Sequence, residues 1–124
     1  MSARRPSARR FGGGPEILSS VPVFAALGDE TRLRLVARLC AGEPLSITQL
    51  SSGAEVTRQA ITKHLHVLAR AGVVRGAREG RQQLWLLEPR PLREARRCLE
   101  LIGRQWDEAL GRLKTLLESE TPSE

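Results

Sequence analysis

A short basic segment near the centre of the chain has the composition expected of a surface that contacts a polyanion. Residues 57–85 carry six basic residues and one acidic residue, whereas residues 15–56 and 86–124 each carry a small excess of acid. Concentrated positive charge inside a folded region is typical of a nucleic-acid interface. A general solubilising surface is the alternative that charge alone leaves open.

This segment begins with a predicted helix whose two faces differ. Thr57 is a suitable N-cap and Gly72 follows the expected end. Between them, Ile61, Leu65 and Leu68 share an apolar face. The opposite face is polar near its start, and its arginine or lysine could bind guanine and its glutamine adenine in a major groove. The predicted contacts are Thr57, Arg58, Gln59, Thr62, Lys63 and His64, of which the two threonines and the histidine are expected to be phosphate or structural contacts.

A β-hairpin with a basic tip is predicted directly after this helix. Val73 and Val74 begin one strand, residues 84–87 end the other, and residues 76–81 are expected to link them. A hairpin in this position forms the wing of a winged helix, and its arginines would bind phosphates. The predicted wing contacts are Arg75, Arg78 and Arg81, the last two flanking the turn.

The preceding segments predict the remainder of a helix-turn-helix. A short apolar helix begins at Val21 and ends at Gly28, after which Asp29 caps a second helix. Ser46 caps a third, short helix that ends before Gly53. In the second helix the residues with helical spacing are Leu33, Val36, Ala37 and Cys40, and in the third Ile47 and Leu50 are expected to point inward.

The longest periodic stretch covers residues 91–118 and predicts a helix with one apolar stripe. Such a long stripe exceeds what the short preceding helices can cover, so a second copy of the chain is its expected partner. A single helix folding over its own core is the alternative, and Gly103 and Gly111 are candidate sites of a bend. The predicted dimer contacts are Leu92, Ala95, Leu99, Ile102, Trp106, Ala109, Leu113 and Leu116.

The full length of 124 residues suits one domain, predicted at residues 15–120 between a disordered basic arm at 1–14 and a disordered tail at 121–124. No apolar run suggests a membrane span or signal peptide, so a cytoplasmic location is expected. No cofactor and no enzymatic activity are expected, because nucleophile–base constellations and glycine-rich phosphate loops are absent from the sequence.

Three stretches in this order resemble the ArsR/SmtB family of bacterial transcription regulators. They are FAALGDETRLRLVARLCAGEPLSITQL, AITKHLHVLARAGVV and EGRQQLWLL, and the resemblance covers about residues 21–118. It implies a mainly α fold with a small β-hairpin: a winged helix-turn-helix with a long C-terminal dimerisation helix. It also implies a dimeric repressor that binds an inverted-repeat operator in double-stranded DNA.

The metal sites of that family are not expected here. The segment SITQLSS lacks the family's Cys-x-Cys, and the last helix contains no histidine. His64 and His66, two residues apart, do not share a helix face. The end of the chain from Trp106 to Lys114 is similar to a metal-free branch of the family.

Three other functions remain open at this stage. Some members of the family sense persulfides or oxidants through one cysteine on the second helix and one on the last, where Cys40 and Cys98 lie, although both are displaced from the family's positions. A winged-helix protein-interaction module is a second alternative, and the basic segment argues against it. A small RNA-binding protein is the third, and the 3% aromatic content argues against it. The sequence does not identify an inducer.

Overall fold

The computed structural model describes residues 18–120, so the predicted arm at 1–14 and tail at 121–124 lie outside the described residues. The predicted order of helices, hairpin and long C-terminal helix is confirmed. In chain order the elements are α1 Val21–Leu27, α2 Glu30–Leu39, β1 Leu45–Ser46, α3 Ile47–Ser51, α4 Arg58–Arg70, β2 Val74–Glu79, β3 Gln82–Leu87 and α5 Pro89–Glu120.

Helices α2, α3 and α4 begin at the three residues predicted to cap them. The side chains of Asp29, Ser46 and Thr57 each accept a hydrogen bond from the backbone N–H three residues later, at 3.0, 3.2 and 3.0 Å. Gln49 Oε1 in turn accepts from Ser46 N at 2.8 Å, which completes a capping box at α3. These contacts satisfy N–H groups that a helix start leaves without partners, and they set the entry of each helix.

The three strands form an antiparallel sheet in the order β1–β3–β2. The hairpin is tighter than predicted, because β2 and β3 are joined by Gly80 and Arg81 alone. Gly80 has φ +64° and Arg81 does not have a positive φ, a pattern that matches a type II′ turn. The predicted six-residue link is therefore wrong: Gly76 and Arg78 lie within β2. The two-residue strand β1 was not expected.

The apolar face of α4 lies at the centre of the core, as predicted. Ile61, Leu65 and Leu68 are fully buried. In α2 the predicted face is correct only at Val36. The other buried residues of that helix are Leu35 and Leu39, whereas the predicted Leu33, Ala37 and Cys40 are exposed.

Helix α5 has two parts with different surroundings. Near its start Ala95 is 4% exposed and Leu92 packs against the core, and Cys98 is also buried. The helix contacts α1. From residue 99 onward every residue of the helix is exposed or half-buried, up to Ser119. The stripe predicted as a single interface is therefore shared between the protomer's own core and an uncovered extension.

Candidate nucleic-acid interface

The first turns of α4 present a polar, basic face opposite the buried one. The side chains of Arg58, Gln59 and Lys63 are exposed. Thr62 is half-buried and its Oγ1 donates to the carbonyl of Arg58 at 2.9 Å, while Thr57 serves as the cap. The exposed donors at this helix start therefore come from three side chains, and the two threonines stabilise the backbone beneath them.

The guanidinium of Arg58 is held by a neighbouring helix. Its Nη2 donates to Oγ1 of Thr48, on α3, at 2.9 Å. Thr48 was not predicted from sequence, because a hydroxyl in the first turn of a short helix carries no local signal of a contact ten residues away. Only one pattern would have suggested this contact. The second helix of the pair opens with a basic residue, and the first helix has a hydroxyl residue near its start.

His64, predicted among the recognition-helix contacts, faces away from this surface and joins α4 to the turn between α1 and α2. Arg32 Nη1 donates to His64 Nδ1 at 3.2 Å, and the same arginine donates through Nε to the carbonyl of Ala26 at 2.6 Å. Asp29 Oδ2 lies 3.8 Å from His64 Nδ1. The polar cluster of Arg32, Asp29 and His64 gives this histidine a structural role in the protomer, so we leave it out of the proposed DNA contacts.

The pKa of Asp29 is lowered from its ordinary value within this cluster. The main cause is the hydrogen bond that its carboxylate accepts from the backbone N–H of Arg32. The positive charge of Arg32 lowers the pKa further, and partial desolvation opposes both effects. A charged carboxylate is therefore the favoured form of this helix cap.

The three predicted wing arginines occupy two different places. Arg81 lies in the turn and Arg78 near the end of β2, and both are exposed. Arg75 lies at the base of the wing, where its Nε is 3.1 Å from Glu88 Oε2. Because this carboxylate compensates its charge, Arg75 is the weakest of the three candidates for phosphate binding.

The wing is attached to α4 through an aromatic contact. Trp85, on the central strand β3, is 6% exposed and meets the exposed His66 of α4 edge to face, with ring centroids 6.0 Å apart. Trp85 pairs with Gly76 of β2, where a Cβ would lie 3.4 Å from the indole ring. The buried indole N–H has no acceptor among the described residues. This packing fixes the position of the wing relative to α4.

The uncovered part of α5 carries large apolar side chains along one line. Leu99, Trp106 and Leu113 are 57%, 64% and 50% exposed. Leu110 and Leu117 were not predicted as members of this stripe, because the predicted spacing followed a different row of the helix. Leu92 and Ala95, predicted as dimer contacts, belong instead to the protomer's own core. The exposed apolar residues from 99 onward are Leu99, Ile102, Trp106, Leu110, Leu113, Leu116 and Leu117, and Ala109 lies half-buried beside them.

The two cysteines are free thiols in different environments. Cys40 is exposed at the end of α2 and Cys98 is buried on α5. Within residues 18–120 there is no group of three histidine, cysteine, aspartate or glutamate side chains arranged to hold a metal ion. The same part of the chain contains no helix with the length and apolar character needed to cross a membrane.

Comparison with known proteins places these features among transcription regulators. A family model described as a helix-turn-helix domain matches residues 27–77. The HTH-type transcriptional regulator Rv2034 of Mycobacterium tuberculosis is 36% identical, over 78% of this chain and 87% of the relative. The arsenic resistance transcriptional regulator ArsR1 of Pseudomonas putida is 32% identical, over 65% of each chain. The solved structure of an ArsR-like transcriptional regulator from Rhodococcus sp. RHA1 superposes with a TM-score of 0.66 at 36% identity, covering 80% of this chain and 92% of that one.

Proposed function

Because this chain belongs to the ArsR family of DNA-binding transcription regulators, we propose that it acts as a homodimeric repressor at an inverted-repeat operator. The observation that carries the proposal is the division of α4 into two faces. Ile61, Leu65 and Leu68 are wholly buried, while Arg58, Gln59 and Lys63 are exposed at the start of the helix. Side chains at this position of a helix-turn-helix enter the major groove, and their donors match base edges there.

The wing supplies binding that does not depend on base sequence. Arg78 and Arg81 extend from the hairpin beside α4 without a carboxylate partner among the described residues. Arginines placed in this way bind phosphates of the adjacent duplex, and such contacts weaken as salt concentration rises. In this proposal α4 chooses the sequence and the tip of the wing adds affinity.

A second copy of the chain is the proposed partner of the uncovered stripe on α5. From Leu99 to Leu117 the stripe extends for about 27 Å along the helix axis. One ion pair within the helix, Arg96 with Glu100 at 3.2 Å, lies at the start of the stripe, and further along the surrounding surface carries exposed charged residues such as Arg104, Glu108 and Arg112. An apolar stripe between polar flanks packs against an identical helix, because an isologous interface requires only one self-complementary surface.

Dimerisation places two α4 helices on one side of the duplex. The expected operator is an imperfect inverted repeat with half-sites about one helical turn apart. A bound dimer with both wings in place occupies this stretch of duplex and excludes RNA polymerase from an overlapping promoter. Repression is therefore the proposed regulatory outcome.

The test is selection of bound sequences from a random duplex library by the full chain, followed by affinity measurements with variants. Arg58→Ala should relax the base preference at one position of each half-site. Arg81→Ala should lower the affinity for all sequences by a similar factor and reduce the salt dependence. Arg104→Ala is the matched control, because this exposed arginine lies on α5 away from α4 and the wing.

Three results would contradict the proposal. If the full chain binds no duplex at low salt, the proposal that it recognises an operator is wrong. If Arg58→Ala and Arg81→Ala have identical effects on binding, α4 and the wing do not have the separate roles proposed for them. Increased transcription when the selected operator overlaps a promoter in a purified transcription assay would remove the repressor role.

A further inference from the structure

An exposed hydrogen bond joins the two helices of the helix-turn-helix. It runs from Arg58 Nη2 to Thr48 Oγ1 and is 2.9 Å long. We propose that Thr48 is a specificity-positioning residue, whose hydroxyl holds the Arg58 guanidinium in the orientation that binds a guanine edge. The inference rests on the proposed function and names a residue outside α4 that determines which base α4 selects.

The donor inventory of arginine makes this arrangement compatible with base contact. A guanidinium has five N–H donors, and the Thr48 oxygen uses one of them. The remaining donors can still form the two parallel hydrogen bonds that bind O6 and N7 of guanine. A side chain that is ordered before binding loses less conformational freedom when the DNA arrives.

Both ends of the Arg58 side chain are restrained. Its backbone follows directly on the capping residue Thr57, and its carbonyl accepts from Thr62 Oγ1 at 2.9 Å. The guanidinium is held by Thr48. Gln59 and Lys63, on the same exposed face, have no side-chain hydrogen bond within residues 18–120. Arg58 is therefore the exposed contact of α4 whose direction is set in advance.

Thr48 itself stands on a fixed backbone. The capping box of Ser46 and Gln49 spans the turn of α3 that contains it. Arg38 of α2 donates to the carbonyl of Leu50 at 3.0 Å, and Leu50 is 1% exposed. A hydroxyl on this anchored turn has a defined position, so it can orient a long flexible partner.

The experiment compares base preference in a matched set of full-length variants. Thr48→Val keeps the shape of the side chain and removes the hydroxyl, Thr48→Ser keeps the hydroxyl, and Ser52→Ala removes an exposed hydroxyl at the end of the same helix. Each variant is titrated with the selected operator and with a set of operators changed at one base pair per half-site. Thermal unfolding of each variant shows that the fold is retained.

We expect Thr48→Val to reduce discrimination by about three- to tenfold per half-site at the base pair that Arg58→Ala also affects. Discrimination at other base pairs should be unchanged, and Thr48→Ser and Ser52→Ala should behave as the parent chain. In the Arg58→Ala background, Thr48→Val should have no further effect on base preference.

The inference is overturned if Thr48→Val weakens all operators equally, which would make Thr48 a phosphate contact only. Additive effects of Thr48→Val and Arg58→Ala would overturn it as well. An unchanged profile of Thr48→Val, with the parent chain selecting a defined operator, removes this inference and leaves the proposed function standing. Failure of the parent chain to select any sequence removes both.

Discussion

Shortening one side chain in the uncovered stripe of α5 should weaken the proposed dimer by about 30-fold. Leu113 is 50% exposed in the protomer, so dimerisation would remove about half of its surface from water. Full burial of a leucine contributes about 1.5–3 kcal/mol, which gives roughly 1 kcal/mol for this half. In a symmetric dimer Leu113→Ala removes the contribution twice, about 2 kcal/mol, and each 1.4 kcal/mol is a factor of about ten in the dissociation constant.

Sedimentation velocity over a range of protein concentrations measures this dissociation constant. Thr115→Ala is the matched control, because residue 115 lies about 200° around the helix axis from Leu113 and is also exposed. Both substitutions introduce alanine into the same helix, so neither should disturb its formation. Leu113→Glu, which would place a carboxylate in the same contact, should abolish the dimer and with it the binding of an inverted repeat.

The reasoning fails if Leu113→Ala and Thr115→Ala shift the dissociation constant by the same factor. It also fails if the parent chain sediments as a monomer at every concentration tested. A dimer that resists Leu113→Glu would show that another surface of the protomer forms the interface.

Four further predictions concern the elements that position the site. Gly80→Ala should lower the free energy of unfolding by roughly 1 kcal/mol in chemical denaturation, since φ is +64° at this turn. Gly111→Ala, in open space on α5, should raise it by about 1 kcal/mol. Ser46→Ala removes the cap of α3 and should cost about 1 kcal/mol in the same assay, whereas the exposed Ser52→Ala should cost little. The lowered pKa of Asp29 stabilises the folded chain above the unfolded-state pKa of about 4, and this contribution is lost as pH falls through the folded pKa. Unfolding free energies measured from neutral to acidic pH should therefore decline more steeply below about pH 4 for the parent chain than for Asp29→Asn, and equal slopes would contradict this assignment.

The features that sequence predicted correctly are those set by neighbours close in the chain. A cap depends on one side chain and an N–H group three residues later, so Asp29, Ser46 and Thr57 could be identified without knowledge of the fold. The buried face of α4 was equally clear, because Ile61 and Leu65 have apolar spacing on one side and polar residues on the other.

Two of the incorrect predictions depend on contacts between distant segments. Helix α2 has apolar residues on two sides, and only packing decides that Leu35 is buried while Leu33 is exposed. The stripe of α5 has the same period whether it faces the protomer's core, as at Ala95, or solvent, as at Leu113. Gly76 suggested a turn, but it lies within a continuous strand, where the side-chain amide of Gln83 occupies the space that a Cβ would need.

The placement of the two tryptophans gives the chain a separate optical reporter for each step of its proposed activity. The sequence contains no tyrosine, so ultraviolet fluorescence comes almost entirely from Trp85 and Trp106. The buried Trp85, beside His66 of α4, should emit at short wavelength and respond when DNA contacts α4 and the wing. The exposed Trp106 should emit at long wavelength and shift to shorter wavelength as its stripe is covered. Trp85→Phe leaves Trp106 to follow dimer formation, and Trp106→Phe leaves Trp85 to follow DNA binding, without an attached dye.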